Sequence, residues 1–326
     1  MVSSGTGKLV TVFGGSGFVG RHTVRALARD GWRIRAASRR PDLAGHLQPM
    51  GGVGQIMAVQ ANLRYPDSVA RAVEGADAVV ISVGILARSG RQTFEALHVD
   101  GPRAVAKAAQ AAGVKRLVHV SAIGADASSA SHYARSKGEG EKAVLAEYPG
   151  AVILRPSIVF GPEDEFFNRF ACMAQMAPLL PSIGGGRTKF QPVFVGDVAS
   201  AVANVLAGAG QPGAVYEVGG PEVATFRQLL DRMQAWSGRS RGYLPMPFWL
   251  AKLGALLTWP LPGALRPLTV DQVRLLAIDN VVSAAAQKDG RTLAALGVND
   301  PQTMGAVVPL YLERFRPKGQ FSHYRG

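Results

Sequence analysis

Apolar positions along the first half of the chain alternate between short β-branched runs and longer stretches of helical periodicity. Lys8 to Phe13 predicts a first strand, Val19 to Asp30 a helix closed by Gly31, and Arg33 to Ala37 a second strand. Gln55 to Val59, Ala78 to Ser82 and Leu117 to Ser121 predict three more strands, with helices over Pro66 to Glu74 and Phe94 to Ala112 between them. Ser131 to Tyr148 reads as a further helix and Ala151 to Arg155 as a sixth strand, stopped by Pro156. Strands that alternate with helices belong in a parallel sheet covered on both faces, and right-handed crossovers leave a doubly wound sheet as the economical arrangement. The expected fold class is therefore α/β, a doubly wound parallel sheet over residues 1–155, with residues 156–326 as a smaller, irregular C-terminal α/β portion from which segments can return to the main sheet.

The second half is richer in Pro and less periodic. Gly184-Gly185-Gly186 follows Pro181 and precedes an apparent strand, Phe190 to Val195, so it reads as a turn and not as a phosphate loop. The longest apolar stretch, Met246 to Leu261, falls short of the roughly 20 residues that span a bilayer and is interrupted by Pro247, Lys252 and Pro260. Within it Trp249, Leu253, Leu256 and Leu257 recur at helical spacing, with Lys252 on another face. Such a stretch suits a membrane interface, a docking face for a partner, or a lid over a pocket. The basic tail, with Arg314, Arg316, Lys318 and Arg325 against Glu313, reads as solvated or lipid-facing.

Chemistry enters directly after the first strand. Gly14-Gly15-Ser16-Gly17-Phe18-Val19-Gly20 opens a helix, and a glycine-rich turn there presents unpaired N–H groups and the positive end of the helix dipole to a pyrophosphate. Gly14 permits the tight turn, Gly17 close backbone approach, and Gly20 the packing of helix on strand. This strand-loop-helix context marks a Rossmann dinucleotide site. Sites for NAD place an acid at the end of the second strand to hold the ribose 2′-hydroxyl, whereas this chain has Ser38-Arg39-Arg40, with no carboxylate before Asp42. A guanidinium holds a 2′-phosphate, so the cofactor expected is NADP(H), with Arg39 as its first ligand.

Composition narrows the partners. The 36 Lys+Arg against 23 Asp+Glu give a net charge of +13, which favours an anionic partner, and eight basic residues against two acidic ones before position 61 put part of that excess beside the nucleotide loop. No recognition module or basic-aromatic repeat points to nucleic acid. The single cysteine, Cys172, excludes an intrachain disulfide, fits a reducing compartment and reads as a small core residue; with no Cys/His cluster, no metal site is expected. The first strand begins too early to leave room for a secretory leader, so a cytoplasmic location is expected.

Tyr133-Ala134-Arg135-Ser136-Lys137 stacks a phenol and an ammonium one turn apart on a helix face. The ammonium is expected to lower the phenol pKa, so that the tyrosine exchanges a proton with a carbonyl or hydroxyl while hydride moves. Ser121, at the end of the fifth strand, is placed to hydrogen-bond the carbonyl. Ser121, Tyr133 and Lys137 are thus the candidate catalytic residues.

Together these residues resemble the short-chain dehydrogenase/reductase superfamily. Gly113 to Ser121, Tyr133 to Lys137, Leu154 to Asp164, Phe166 to Phe170 and Gln191 to Ala199 are similar to the 39-kDa accessory subunit family of respiratory complex I and its bacterial relatives. The resemblance covers most of the chain and is most specific from Arg155 to Phe170. It implies an NADPH-binding subunit without turnover that docks on the membrane-adjacent arm of an NADH:quinone oxidoreductase, peripheral on the cytoplasmic face, with an anionic lipid surface as a further partner. The enzyme alternative is an NADP-dependent reductase or nucleotide-sugar epimerase or dehydratase. The cofactor ligands expected are Gly14, Ser16, Gly17, Phe18, Gly20 and Arg39, joined on the resemblance by Asn62, Lys137 and Pro156. Asn62 stands where an Asp often contacts adenine. His98 stands where extended members often carry Asn, and that departure puts catalysis in doubt.

Overall fold

The computed structural model of the chain describes residues 7–257 and 269–317. Up to Pro156 the elements run β1 (Leu9–Phe13), α1 (Phe18–Arg29), β2 (Arg33–Ser38), β3 (Ile56–Gln60), α2 (Pro66–Val73), β4 (Ala78–Ile81), α3 (Gly101–Ala111), β5 (Arg116–Val120), α4 (His132–Glu147) and β6 (Val152–Pro156). They continue with β7 (Val159–Phe160), α5 (Phe167–Met176), β8 (Leu179–Ile183), β9 (Lys189–Phe190), β10 (Val193–Phe194), α6 (Val195–Ala207) and β11 (Val215–Val218). After these come β12 (Ala224–Thr225), α7 (Phe226–Trp236), β13 (Gly242–Met246), α8 (Phe248–Leu257), α9 (Val270–Leu275), α10 (Ala284–Lys288) and α11 (Met304–Leu312).

Seven strands form one sheet in the order β11-β6-β5-β4-β1-β2-β3, parallel at every pairing. The chain leaves β1 toward β2 and β3, then crosses back to β4, so the order reverses between β1 and β4. A crevice opens at such a reversal, beyond the C-terminal strand ends, and positions the site. Both faces of the sheet are covered, which is why β4 is buried at all four positions and reads as a continuous apolar run.

Two compact units emerge. The first holds the residues up to Pro156 together with Val195–Val218 and Ser283–Asn299, so α6, β11 and α10 belong to the unit of the seven-stranded sheet. The second holds Ser157–Phe194, Gly219–Val282 and the residues from Asp300 onward. Its core is aromatic: Phe160, Phe167 and Phe226 are fully buried, and Phe166 touches Phe167, Phe170, Phe190 and Phe226 at ring separations of 5.2–6.3 Å. Met304, Val308 and Leu312 of α11 close that core.

Several expectations need correction. Phe190 to Val195 is not one strand: Pro192 has no N–H to donate, the run splits into β9 and β10, and Val195 opens α6. Phe94 to Ala112 is not one regular helix. Its first part, Glu95–Asp100, is a π turn, because Pro102 lacks the N–H that would bond the carbonyl of His98 four residues back. Cys172 is exposed and not a core residue, since α5 buries Phe167, Ala171 and Ala174 on the opposite face. Gly184, Gly185 and Gly186 do form a turn, each at positive φ. In α8, Ala251 and Ala255 face inward, while Trp249, Leu250, Leu253 and Leu256 are exposed. The end of the predicted apolar stretch, 258–261, and Lys318 and Arg325 of the tail lie outside the described residues.

Candidate functional site

The loop after β1 is shaped by contacts that admit no side chain. Gly14 sits at φ +81 and donates its N–H to Ala37 at 3.2 Å, and Gly17 donates to Gly14 at 2.9 Å. A Cβ on Gly20 would lie 2.0 Å from the carbonyl oxygen of Gly14, which only glycine avoids. Gly17 is the N-cap of α1 and supplies no side-chain cap, and the first turn holds no acid. The leading amides of Phe18 and Val19 therefore keep their capacity for an anion. Ser16 and Phe18 flank this cradle half-buried. Arg21, which the sequence reading overlooked, folds back so that its Nη2 donates to the Ser16 carbonyl at 3.2 Å and its Nε to that of Gly17 at 3.3 Å. It adds a cation beside the cradle, one helical turn along, and that spacing is the signal in the sequence.

At the end of β2 the two arginines divide. Arg40 grips Asp42 through Nη2 at 2.7 Å and Nε at 3.0 Å, and that hydrogen bond holds the Asp42 carboxyl below its usual range. Arg39 is exposed, and its side chain makes no ion pair or hydrogen bond among the described residues. Asn62 uses its Oδ1 to accept from the Arg64 backbone N–H at 3.2 Å, a local turn that leaves its Nδ2 as the group turned to other partners. Pro156 ends β6, buried, with its carbonyl accepting from Ile123 at 2.9 Å.

The chemical end lies between β5 and α4. Ser121 is anchored by its N–H to Leu154 at 2.7 Å, and its Oγ is buried with no hydrogen-bond partner. Ser131 caps α4 by accepting from Ala134 at 3.3 Å, which fixes the start of the helix and sets Tyr133 and Lys137 one turn apart. Two glycines let α4 approach closely. A Cβ on Gly138 would meet the Ala127 nitrogen at 2.4 Å, and one on Gly140 the His98 carbonyl oxygen at 1.9 Å. Lys137 is 5% exposed and its Nζ donates to the Val120 carbonyl at 3.4 Å.

Electrostatics follow from this burial. Desolvation lowers the Lys137 pKa to about 8, against a smaller upward pull from Glu141. Glu141 is itself held by Arg155 at 2.9 Å through Nε, so no salt bridge reaches Lys137 among the described residues. The Tyr133 phenol is pushed up to about 12 by burial. That is opposite to the expected lowering by the ammonium: Tyr133 is buried, packed edge-on against Phe94 and His98.

Two histidines complete the surroundings. His98 is buried, with Nε2 accepting from the Ile85 N–H at 3.1 Å and Nδ1 2.9 Å from Ser136 Oγ. His119, two residues before Ser121 and on the same face of β5, is buried with neither ring nitrogen paired. Burial and then the Lys137 charge bring both imidazoles down to about 3. His119 was missed in the sequence, although polar residues at alternate positions of an otherwise apolar strand, 119 and 121, were the available signal. The structure thus brings Ser121, Tyr133 and Lys137 into the same first unit as Gly14 to Gly20, Arg39, Asn62 and Pro156.

Comparison with known proteins places this geometry. Residues 10–219 match the NAD dependent epimerase/dehydratase family. The chain is 35% identical over 297 residues to the mitochondrial NADH dehydrogenase [ubiquinone] 1 alpha subcomplex subunit 9 of Arabidopsis thaliana, covering 88% of this chain and 74% of that protein. It is 38% identical over 173 residues to a ceramide reductase of Caulobacter vibrioides, covering 53% of each. The fold is also that of the Citrobacter sp. triphenylmethane reductase complexed with NADP(H), with a TM-score of 0.70 at 18% identity over 93% of this chain and 99% of the other. The chain belongs to the NAD dependent epimerase/dehydratase family, within the short-chain dehydrogenase/reductase superfamily, in the branch of the complex I alpha subcomplex subunit 9 proteins.

Proposed function

We propose that the protein binds NADP(H) and serves as a peripheral subunit of a membrane NADH:quinone oxidoreductase, on its cytoplasmic face. The observation that carries the nucleotide choice is the division at the end of β2: the first carboxylate after that strand, Asp42, is committed to Arg40, and Arg39 is left as an uncommitted guanidinium. The uncapped amides of Phe18 and Val19 hold the pyrophosphate and Arg39 the 2′-phosphate. Asn62 offers Nδ2 to adenine, and Pro156 and Lys137 line the nicotinamide ribose. When bound, the nucleotide supplies a hydride donor or acceptor.

Docking rests on the relatives' names and on α8. Trp249, Leu250, Leu253 and Leu256 leave an apolar face in solvent. Between Asp231 and Asp271 the sequence carries no carboxylate but has Arg232, Arg239, Arg241, Lys252 and Arg266. An apolar face with Trp, on a helix whose one charged residue is Lys252, suits an anionic lipid interface. Among the described residues no helix is long and apolar enough to cross a membrane. Purification from native membranes tests the reading: co-migration with a quinone oxidoreductase supports it, and a chain found wholly apart from that complex overturns it. Sedimentation with vesicles of anionic phospholipid tests the lipid face.

A second reading, an NADP(H)-dependent carbonyl reductase, is favoured by one observation. Ser121 Oγ is buried without a partner, and the buried Lys137 ammonium donates to the carbonyl of the preceding residue, Val120. Buried polar groups left unsatisfied are costly, and a substrate carbonyl accepting from Ser121 and Tyr133 accounts for that cost. The reductase named among the relatives points the same way. Oxidation of NADPH by long-chain carbonyl compounds decides between the two.

A further inference from the structure

We propose that His98 is a positioning residue, a neutral imidazole locked in one tautomer that ties the β4 loop to the first turn of α4 and so sets the place of Tyr133. The inference rests on the reading of Tyr133 as part of the nucleotide site.

The direction of each bond is fixed. The Ile85 N–H can only donate, so His98 Nε2, 3.1 Å away, carries no proton. A neutral ring then has its proton on Nδ1, which donates to Ser136 Oγ at 2.9 Å. Ser136 in turn donates to the carbonyl of Tyr133 at 2.9 Å. One unbroken sequence of donors runs from the loop after β4, through the imidazole, to the backbone of Tyr133. The ring faces agree, since His98 stacks on Phe94 at 5.3 Å with 22° between planes and meets Tyr133 edge-on at 5.5 Å and 89°.

The backbone around His98 is built for the same place. Pro102 cannot donate to the His98 carbonyl, the helix widens into the π turn at Glu95–Asp100, and Gly140 lets α4 close on that carbonyl oxygen. The charged and titratable groups facing the ring are Lys137 of α4 and His119 of β5, with the phenol of Tyr133; none is a carboxylate, His119 is itself neutral, and the Lys137 charge opposes protonation. With both nitrogens committed, His98 neither gives nor takes a proton at the substrate.

The test is a long-range 1H–15N correlation spectrum of the full chain with 15N-labelled histidine, His98 being assigned by its loss in His98→Asn. The expected pattern is a neutral ring protonated on Nδ1, unchanged from pH 8 to pH 5. An Nε2-protonated ring, or a midpoint near the ordinary histidine value, overturns the proposal. A second readout follows Tyr133 by 13Cζ labelling. His98→Ala should displace the Tyr133 signal and His98→Asn should restore it in part, because the amide Nδ2 takes the place of ring Nδ1 and donates to Ser136. A Tyr133 signal unmoved in His98→Ala also overturns it. NADPH titration of the unmodified chain keeps the two ideas apart: failure to bind sinks the nucleotide reading while leaving the imidazole lock as the spectra find it.

Discussion

Tyr311 of α11 donates its phenol proton to Asp164, across 147 residues of sequence and inside the second unit. Asp164 is buried and also accepts the N–H groups of Gly161 at 3.3 Å and Asn168 at 3.2 Å, while Arg314 grips Asn168 Oδ1 at 2.6 Å. Burial raises the Asp164 pKa, and these donors pull against it. The stretch from Gly161 to Asn168 therefore works as a latch for α11. Tyr311→Phe should cost about 1–3 kcal/mol in denaturant unfolding, the usual effect of leaving a buried acceptor one donor short. Arg314→Ala, at the exposed rim, should cost less than about 1 kcal/mol.

Arg39→Ala should weaken NADPH binding by roughly 10- to 100-fold, the equivalent of one charge-assisted hydrogen bond or two, and leave NADH binding nearly unchanged. Arg40→Ala should have a smaller effect, since its guanidinium is spent on Asp42. Calorimetric titration with both nucleotides checks this, and equal affinities for NADPH and NADH in the unmodified chain would remove the argument.

Acid stability should report the two buried imidazoles. Both His98 and His119 fall from 6.5 to about 3 in the folded chain, so between those values the unfolded state binds more protons than the native one. Stability then rises with pH from about 3 to 6.5 and is lost on acidification, with a slope of up to roughly 1.4 kcal/mol per pH unit for each ring. His119→Leu should flatten the curve, because neither nitrogen of that ring is paired and the replacement leaves no orphan behind. A curve as steep as that of the unmodified chain would show that His119 does not carry the effect.

What could be read from the sequence followed the physics of local periodicity. Strands buried on both faces announce themselves as apolar runs, and a strand, a glycine loop and a helix in succession leave little choice at Gly14 to Gly20. The other features depend on side-chain contacts that periodicity does not encode. Whether Cys172 faces inward is decided by which side of α5 meets α7 and α11, and the π turn before α3 needs Pro102 and Gly140 together. The separation of Arg39 from Arg40 depends on Asp42 turning back on one of them. The placement of Ser121 after β5 and of Tyr133 and Lys137 one turn apart on α4 was legible because helix geometry and strand ends fix it. The upward direction of the tyrosine's shift was not, since burial in the folded chain causes it.

Lys137 offers a prediction in which stability and binding move in opposite directions. Its ammonium is buried and makes no salt bridge among the described residues, the nearby Glu141 being held by Arg155, so Lys137→Met should stabilise the unliganded chain by removing a desolvated charge. The native lysine sits near 8 against 10.5 unfolded, so the unmodified chain gains stability as pH rises between those values, and Lys137→Met should lose that gain. NADPH affinity should fall in the same variant, because the group proposed to reach the nicotinamide ribose is gone. Tyr133→Phe should leave affinity and melting nearly as they were, removing one phenol hydrogen bond of about 0.5–1.5 kcal/mol at most. If the chain is a nucleotide-carrying subunit alone, no steady NADPH oxidation accompanies either variant or the unmodified protein. Turnover in the unmodified chain that disappears in Tyr133→Phe, with affinity intact, would instead assign the phenol as the proton donor and establish the reductase reading.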